Sequence, residues 1–283
     1  MKKISQILLL VLMSISASLS AQEKELYIQY DYHRNFIFNI EDELTDNKKA
    51  NDLNKSIKAT SSSRPPKKVE VFSHGGVIIS KEYSSRIGSP SNIVNGKIVG
   101  DDFEWFCNYV KKDYSQNILL ETIEGTIPRH EFVLKEHLNL FNWTPGKETR
   151  EILGYNCNKA TCTFRGRDYV AWFTRDIPFK AAPWKIHGLP GVILEVFTTD
   201  NLVKWTAKEL KIRPQQAMVE TPFKDLKTLD IKEYKEFIQK KEQRSIEMHK
   251  RFVLEHTGDP KATIRKHVPQ LNSLEKFELN LKE

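Results

Sequence analysis

Two arginines on either side of one glycine are the first candidates for chemistry in the sequence. Arg165 and Arg167 fall in a predicted tight turn, where two guanidinium groups can hold one carboxylate or phosphate in a bidentate manner. The simpler interpretation is a set of surface salt bridges to Glu195, Asp168 or Asp176. We favour the salt bridges and keep the anion site as the alternative.

A thiol and an imidazole are the other groups that could act on a substrate. Cys157 has no Cys-x-x-C partner, which weakens a redox role, and the chain has no G-x-S-x-G, P-loop or Rossmann motif. His187 precedes a glycine, where an exposed or backbone-bonded histidine is common, so His187→Ala is expected to leave stability nearly unchanged. His249 and His256 lie seven residues apart, a weak metal spacing. We therefore predict no catalytic set, no metal ion and no cofactor.

Aromatic residues form two groups along the chain. They suit the concave wall of a curved sheet as core, and they would line a groove for an apolar ligand if the sheet closes incompletely. The groups are Tyr30, Tyr32, Phe36 and Phe38, and Trp172, Phe173, Trp184 and Trp205. Together with the polar candidates they give the predicted binding residues Arg165, Arg167, Trp172, Trp184 and His187.

A rigid corner lies at the centre of these candidates. Gly188 and Gly191 bracket Leu189-Pro190, and the apolar run 192–197 that follows predicts a buried strand. Glycine reaches positive φ without steric cost, and proline fixes its own φ, so the four residues predict a tight turn. The corner holds no group that could attack a substrate or transfer a proton. We predict that it is architectural.

The corner also carries a family resemblance. Residues 188–193 resemble the signature of the GLPGLI family, exported proteins of Bacteroidetes-type bacteria, with Val192 in place of the usual leucine. Residues 154–160 and 164–178 resemble the family's G-Y-x-C-x-K-A and F-x-G-R…A-W-[YF]-T…I-P segments, whereas 182–183 read Ala-Pro instead of Gly-Pro. The resemblance covers roughly residues 143–210. It implies export and a β-rich domain, and it transfers no catalytic residue.

Alternating and helical patterns predict the elements that position these residues. Residues 26–40 alternate as a half-buried antiparallel strand, and residues 69–80 and 93–99 read as hairpins around Gly-Gly and Asn-Gly turns. Further strands are predicted at 103–109, 152–164, 169–173, 192–197 and 203–207, while 118–123 is a weaker strand candidate and 131–141 could be helix or strand.

Residues 230–256 predict a helix, with Asp230 as N-cap and Gly258 as stop. Its apolar stripe, which should pack on the sheet, comprises Tyr234, Phe237, Ile238, Met248 and Phe252. The predicted fold class is α+β and β-rich: a curved antiparallel sheet or incomplete β-barrel with a C-terminal helix packed against it.

The termini predict export and a single domain. Residues 1–21 have a basic start, a short apolar run and a small-residue end, which is typical of a cleaved secretory signal peptide. No cysteine follows the cleavage point and no later run is long enough to span a bilayer, so we expect a periplasmic or secreted chain without a lipid anchor. Residues 22–260 would form one β-rich domain with a polar loop or insertion at 41–68, and 261–283 an irregular tail.

Three cysteines bear on the disulfide state. An oxidising compartment permits one disulfide among Cys107, Cys157 and Cys162. If 155–164 form one strand, Cys157 and Cys162 are about 16 Å apart, whereas a bridge needs Cα atoms within about 7 Å. We therefore expect Cys107 to pair with one of them, or all three to remain thiols.

The sequence shows no recognisable group of catalytic residues, and this observation decides the functional interpretation. We expect an exported, non-enzymatic binding or envelope-assembly protein whose partner is an apolar ligand or an envelope protein. The alternative is a periplasmic enzyme, hydrolytic or thiol-based, that uses Cys157 or His187 with Arg165 and Arg167. The formal charge of +7 falls to +5 without Lys2 and Lys3, and the cations are mixed with acids, which argues against nucleic acid as a partner.

Overall fold

A computed structural model describes residues 23–35, 66–83, 93–94, 97–98, 107–124, 130–216, 219–258 and 275. Within them lie fourteen strands, one short 3-10 helix (Pro222–Lys224) and one α-helix, α1 (Ile231–Thr257). The strands are β1 Lys24–Arg34, β2 Lys67–His74, β3 Val77–Tyr83, β4 Ile93–Val94, β5 Lys97–Ile98, β6 Cys107–Asp113, β7 Ile118–Glu124, β8 His130–His137, β9 Thr144–Ile152, β10 Tyr155–Phe164, β11 Arg167–Thr174, β12 Val192–Thr198, β13 Val203–Pro214 and β14 Lys227–Leu229.

One sheet of twelve strands organises the described chain. Its order is β14-β8-β7-β6-β3-β2-β1-β13-β12-β11-β10-β9, and β4 and β5 pair separately as a small hairpin. Neighbouring strands are antiparallel except for β14, which lies parallel to β8. The sheet is not closed, because β14 and β9 form its two ends.

The sheet is strongly curved. Eight strand spacings separate β8 from β11, which would place them roughly 38 Å apart in a flat sheet. Arg165, in the turn that precedes β11, nevertheless forms an ion pair with Glu136 of β8. The predicted class, a β-rich α+β fold with a curved, incompletely closed antiparallel sheet and a C-terminal helix, is confirmed.

The first hairpins form where local patterns predict them. In β1, Ile28, Tyr30 and Tyr32 are almost fully buried, because alternate side chains of a strand share one face. The β2–β3 hairpin turns at Gly75 and Gly76, both with positive φ, as a two-residue hairpin turn requires.

The predicted single strand 152–164 is wrong at its start. The chain turns at Leu153 and Gly154, both with positive φ, and Ile152 ends the preceding strand β9 while Tyr155 begins β10. Apart from the half-buried Ile152, β9 is exposed along its whole length, because it is the edge strand. An exposed edge strand has no apolar alternation, so the pattern that identified its neighbours is missing.

The helix begins and ends as predicted. The Asp230 side chain accepts hydrogen bonds from the Lys232 and Glu233 amides, the Glu233 side chain accepts from the Asp230 amide, and Gly258 ends the helix in a left-handed conformation. Only the first half of the predicted apolar stripe packs on the sheet. Tyr234 is buried, whereas Met248 is 63% exposed, since α1 extends beyond the sheet edge it covers.

Within the corner 188–191, Leu189 is buried in the main core, and Gly191 lies against the end of β11. Gly191 has φ +118°, and a Cβ built there would lie 2.0 Å from the carbonyl oxygen of Thr174. Gly188 has φ +96°, and its Cβ would make ordinary 3.5 Å contacts with Phe141 and Trp143. The geometry supports the architectural role predicted for this turn.

Several predictions lie outside the described residues. These include the signal peptide at 1–21, Phe36 and Phe38 of the first aromatic group, most of the polar loop at 41–68, residues 103–106 of a predicted strand, and the C-terminal tail apart from Glu275. None of the helices within the described ranges combines the length and apolar character that crossing a membrane requires.

All three cysteines lie in the described strands and are buried. The structure contains no disulfide bond between any two of Cys107, Cys157 and Cys162, which is the second of the two expected outcomes. Burial raises the pKa of Cys157 to about 11 and that of Cys162 to about 12, the latter also through Asp168. Thiols that stay protonated at neutral pH are poor nucleophiles, so the geometry does not favour a thiol-based activity.

Candidate functional site

An aromatic column crosses the concave side of the sheet. The rings of Tyr32 and Trp205 stack with centroids 4.9 Å apart, and Trp205 stacks on Trp184 at 6.0 Å, with interplanar angles of 8° and 7°. Trp184 belongs to the loop before the Gly188–Gly191 corner and has a positive φ of 47°. Its backbone amide donates to Ser80 Oγ at 3.1 Å, and its indole Nε1 donates to Glu121 Oε1 at 2.8 Å.

Lys185, the next residue, is the centre of a buried ionic cluster. Its side chain is fully buried, and its Nζ lies 2.7 Å from Glu121 Oε2 and 2.9 Å from Glu136 Oε2. The carboxylate of Glu275 lies 3.0 Å away. Arg165 pairs with both Glu136 and Glu275 on the far side of the cluster. Three carboxylates therefore face two cations.

The surroundings push the pKa values of two carboxyls in the cluster apart. Burial raises the pKa of Glu121, an effect that Lys185 partly opposes and Glu275 strengthens. The pKa of Glu136 is lowered, because Lys185 and Arg165 outweigh its burial. The pKa of Lys185 is raised, because its carboxylates outweigh burial. Glu121 is therefore the group in the cluster best placed to carry a proton, which would leave two carboxylates against two cations.

A cleft of about 310 Å³ opens beside this cluster, between the concave face of the sheet and the first half of α1. Glu121, Trp184 and Glu275 reach it from one side, and Tyr234 and Lys241 of α1 from the other. Its remaining charged and polar lining residues are Arg34, Lys67, Ser80, Glu82, Asn108 and Thr122. Lys67 and Glu82 form an ion pair of 2.8 Å in this lining. The cleft thus offers charged donors and acceptors beside aromatic rings.

A second buried lysine holds the loop in place. Lys112 of β6 is fully buried, and its Nζ donates to the carbonyl oxygens of Ala182 at 2.7 Å and Ile186 at 2.9 Å. Burial lowers the pKa of Lys112 well below its ordinary value. These bonds fasten both ends of the segment that carries Trp184 and Lys185, so Lys112 positions the cluster without lining the cleft.

His187 is a structural residue of the same loop. Its Nδ1 lies 2.6 Å from the Lys185 carbonyl oxygen, and the Leu140 amide donates to its Nε2 at 3.5 Å, which indicates the neutral tautomer with the proton on Nδ1. The side chain is buried and meets the Phe141 ring edge-on at 5.0 Å. The expected hydrogen bond to the backbone is present. Because the side chain is buried, however, His187→Ala should lower the stability of the protein, contrary to the prediction that stability would be nearly unchanged.

We expect His187 to make stability depend on pH. Burial lowers its pKa to about 4, with a further contribution from Lys112, while the Lys185 carbonyl and Glu136 act in the opposite direction. A histidine with a lowered folded-state pKa stabilises the protein above the unfolded pKa near 6.5, and this stability is lost as pH falls towards 4. The loss should reach about 3 kcal/mol. Urea titrations at pH 7 and pH 4 should show this loss in the free energy of unfolding, and His187→Gln should lack the part that His187 contributes. An equal change in the free energy of unfolding between the two pH values in both proteins would refute the prediction.

The structure separates the predicted binding residues. Trp184, Arg165 and His187 lie around the Lys185 cluster. Arg167, with a fully buried side chain, pairs with Asp200. Trp172 lies in an outward-facing group, with the Arg150 guanidinium 4.1 Å from its ring centre.

The expected arginine partners were wrong. Arg165 pairs with Glu136 and Glu275, whereas Arg167 pairs with Asp200. Glu195, one of the predicted partners, pairs with Arg150 instead. The turn itself puts Arg165 at a positive φ of 44°. The pair therefore does not form a single anion site.

Sequence reasoning missed Glu121, Glu136, Lys185 and Glu275. The available signal was in β7, where Glu121 shares a strand face with Leu119 and Ile123, both buried. A glutamate on an inward face is unusual and requires a buried partner. The partner lies 64 residues further along the chain, so the sequence does not indicate which residue it is.

Comparison with known proteins shows what part of this chain is similar to. A family model described as N-glycanase peptide, N-terminal domain, matches residues 107–236, which is less than half of the chain. That range includes Glu121, Glu136, Arg165, Lys185 and Tyr234. The search of curated proteins gave no match.

The solved structures similar to this chain include two of PNGF-II. The structure in the C2 space group is 13% identical, with a TM-score of 0.46, and the similarity covers 76% of this chain and 32% of that chain. The structure in the P21 space group is 14% identical, with a TM-score of 0.46 and coverage of 76% and 33%. The chain thus spans about a third of the length of these proteins.

The family match corrects two predictions. The assignment to the GLPGLI family is wrong, because the model that matches across residues 143–210 is that of an N-glycanase domain. The prediction of a non-enzymatic binding or envelope-assembly protein is wrong for the same reason, since the matching domain is named for an enzyme. The short Gly-Leu-Pro-Gly turn is a structural solution for entering a buried strand, which makes it weak evidence of family.

Proposed function

We propose that this chain is part of an enzyme that hydrolyses N-glycans, and that the cleft between the sheet and α1 binds the glycan. The observation that carries the proposal is Glu121, a largely buried carboxyl with a raised pKa that lines the cleft within the segment matching the N-glycanase domain. Perturbed carboxyls in clefts are candidates for acid–base chemistry.

Glu121 would act as the general acid. The Trp184 indole fixes its orientation through Oε1, and its raised pKa keeps the carboxyl protonated at a higher pH than an ordinary glutamate. A protonated carboxyl can donate its proton to the leaving atom of the glycan–protein linkage while water adds across that linkage. Glu136, with its lowered pKa, stays ionised and keeps Lys185 in place.

The chemistry of the cleft fits a polar ligand better than the apolar one predicted from the aromatic residues. The rings of Tyr32 and Trp205 are each only 1% exposed, so they belong to the core. The remaining lining offers carboxylates, ammonium groups and amides, which suit the hydroxyl and amide groups of sugars. The cations there are matched by carboxylates, which disfavours nucleic acid as a ligand.

Export, as predicted from residues 1–21, would place such an enzyme among glycoproteins outside the cytoplasm. We retain a periplasmic or secreted location as part of the proposal. N-terminal sequencing of the mature protein should then begin at Gln22 or within a residue or two of it.

Glycan release tests the function directly. The full chain, incubated with a denatured glycoprotein carrying N-glycans, is expected to release glycans detectable by mass spectrometry. Glu121→Gln should reduce the rate about 100-fold or more, because it removes the acid while keeping the shape. Glu148→Gln, a change at an exposed residue of the edge strand β9, is the control and should keep the parental rate. No release by the parent, or equal rates in parent and Glu121→Gln, would contradict the proposal.

A further inference from the structure

Glu275 reaches the ionic cluster from a distant part of the chain. It lies 110 residues from Arg165 and 90 from Lys185 in sequence, yet its Oε1 contacts Arg165 Nη1. Its two carboxylate oxygens lie 3.0 Å and 3.1 Å from Lys185 Nζ. The residue is 6% exposed and lines the cleft. A carboxylate on the wall of a cleft, held by two cations, occupies the position that a ligand carboxylate would take.

The two cations are held in place independently of Glu275. Arg165 also donates to Glu136 through Nη2, and Lys185 contacts both Glu136 and Glu121. The direction of both donors is therefore set by residues of β7 and β8. Donors that are already oriented lose little entropy when a carboxylate arrives, which favours binding.

Charge selects the class of ligand. With Glu121 protonated, Lys185 and Arg165 balance Glu136 and one further carboxylate. Removing that carboxylate leaves one buried positive charge uncompensated, which is strongly unfavourable. A dianionic phosphate would overcompensate, whereas one carboxylate restores neutrality.

We propose that Arg165 and Lys185 form a carboxylate-binding subsite in the wall of the cleft, occupied here by the chain's own Glu275, which takes the carboxylate of an acidic sugar when Glu275 is displaced. The recognition of a carboxylate rests on the geometry of the two cations, together with the charge balance when Glu121 is protonated. The assignment to a sugar acid rests on the proposed function.

Rescue by a small carboxylate tests the subsite. Glu275→Ala should melt at a lower temperature than the parent, and sodium acetate should raise its melting temperature in a saturable manner. Sodium chloride at the same ionic strength should not raise the melting temperature of Glu275→Ala in this way. In the parent and in Glu148→Ala, acetate and chloride should change the melting temperature by the same amount. Equal effects of acetate and chloride on Glu275→Ala would overturn the subsite. If the alanine variant does not fold, Glu275→Ser also removes the carboxylate and vacates the subsite, and it should show the same selective response to acetate.

Calorimetry with two matched sugars tests the ligand class. Glu275→Ala should bind glucuronate at least ten times more tightly than the parent does, and more tightly than it binds glucose. Rescue by acetate without preference for glucuronate would overturn the sugar assignment and leave the carboxylate subsite standing. Neither result depends on glycan release by the parent, so failure here and failure of the proposed function are distinguishable.

Discussion

Gly191→Ala is expected to lower the free energy of unfolding by about 2–6 kcal/mol. The φ of +118° at Gly191 strains any side chain by about 1–3 kcal/mol, and the new Cβ would lie 2.0 Å from the carbonyl oxygen of Thr174. Backbone cannot move aside as a flexible side chain can, so β11 or the corner must shift. Displacing packed backbone adds roughly 1–3 kcal/mol.

Gly188→Ala is the matched control for this prediction. Gly188 also has a positive φ, but its Cβ would make only ordinary contacts at 3.5 Å. Gly188→Ala should therefore lower the free energy of unfolding only by the backbone strain, about 1–3 kcal/mol. Urea unfolding followed by tryptophan fluorescence gives both free energies. Equal losses in the two variants would show that contact with Thr174 contributes nothing.

Lys185→Met should destabilise the protein by about 3–5 kcal/mol at neutral pH, because it leaves buried carboxylates without their central cation. Without Lys185 the folded-state pKa of Glu121 should rise further, and that of Glu136 should rise from its lowered value. Groups with raised pKa values stabilise the protein at low pH and lose that contribution as pH rises, so the destabilisation should shrink from pH 7 towards pH 4.

Lys204→Met is the control for Lys185→Met. Lys204 also pairs with a glutamate, Glu195, at 3.0 Å, but its side chain is 47% exposed. A solvent-exposed pair contributes about 0–1 kcal/mol, with little dependence on pH. Denaturant titrations at pH 7 and pH 4 give the loss in the free energy of unfolding for each variant, and the two losses can then be compared. A Lys185→Met protein as stable as Lys204→Met would contradict the role given to the buried cluster.

Local signals in the sequence were sufficient for much of the fold. The alternation in β1, the Gly75-Gly76 turn and the Asp230 cap each involve residues that contact one another within a few positions. The edge strand β9 was missed because an exposed strand has no buried face, and therefore no alternation to detect.

The candidate site could not be predicted in the same way. Glu121, Glu136 and Lys185 lie on three separate elements, and their meeting depends on the curvature of a twelve-stranded sheet. Curvature is a property of strand order and twist, which no short segment encodes. Arg165 was selected from the sequence, but its partners were wrong because the carboxylates that it meets belong to distant segments.

Hydrogen exchange in the presence of a glycopeptide carrying one N-glycan tests the central claim most directly. If the cleft binds the glycan, exchange should slow in the peptides that line it, residues 118–124 in β7 and 231–241 in α1. The edge strand β9, on the opposite end of the sheet, should exchange at its original rate. Unchanged exchange around the cleft at saturating glycopeptide, or protection confined to β9, would contradict the account.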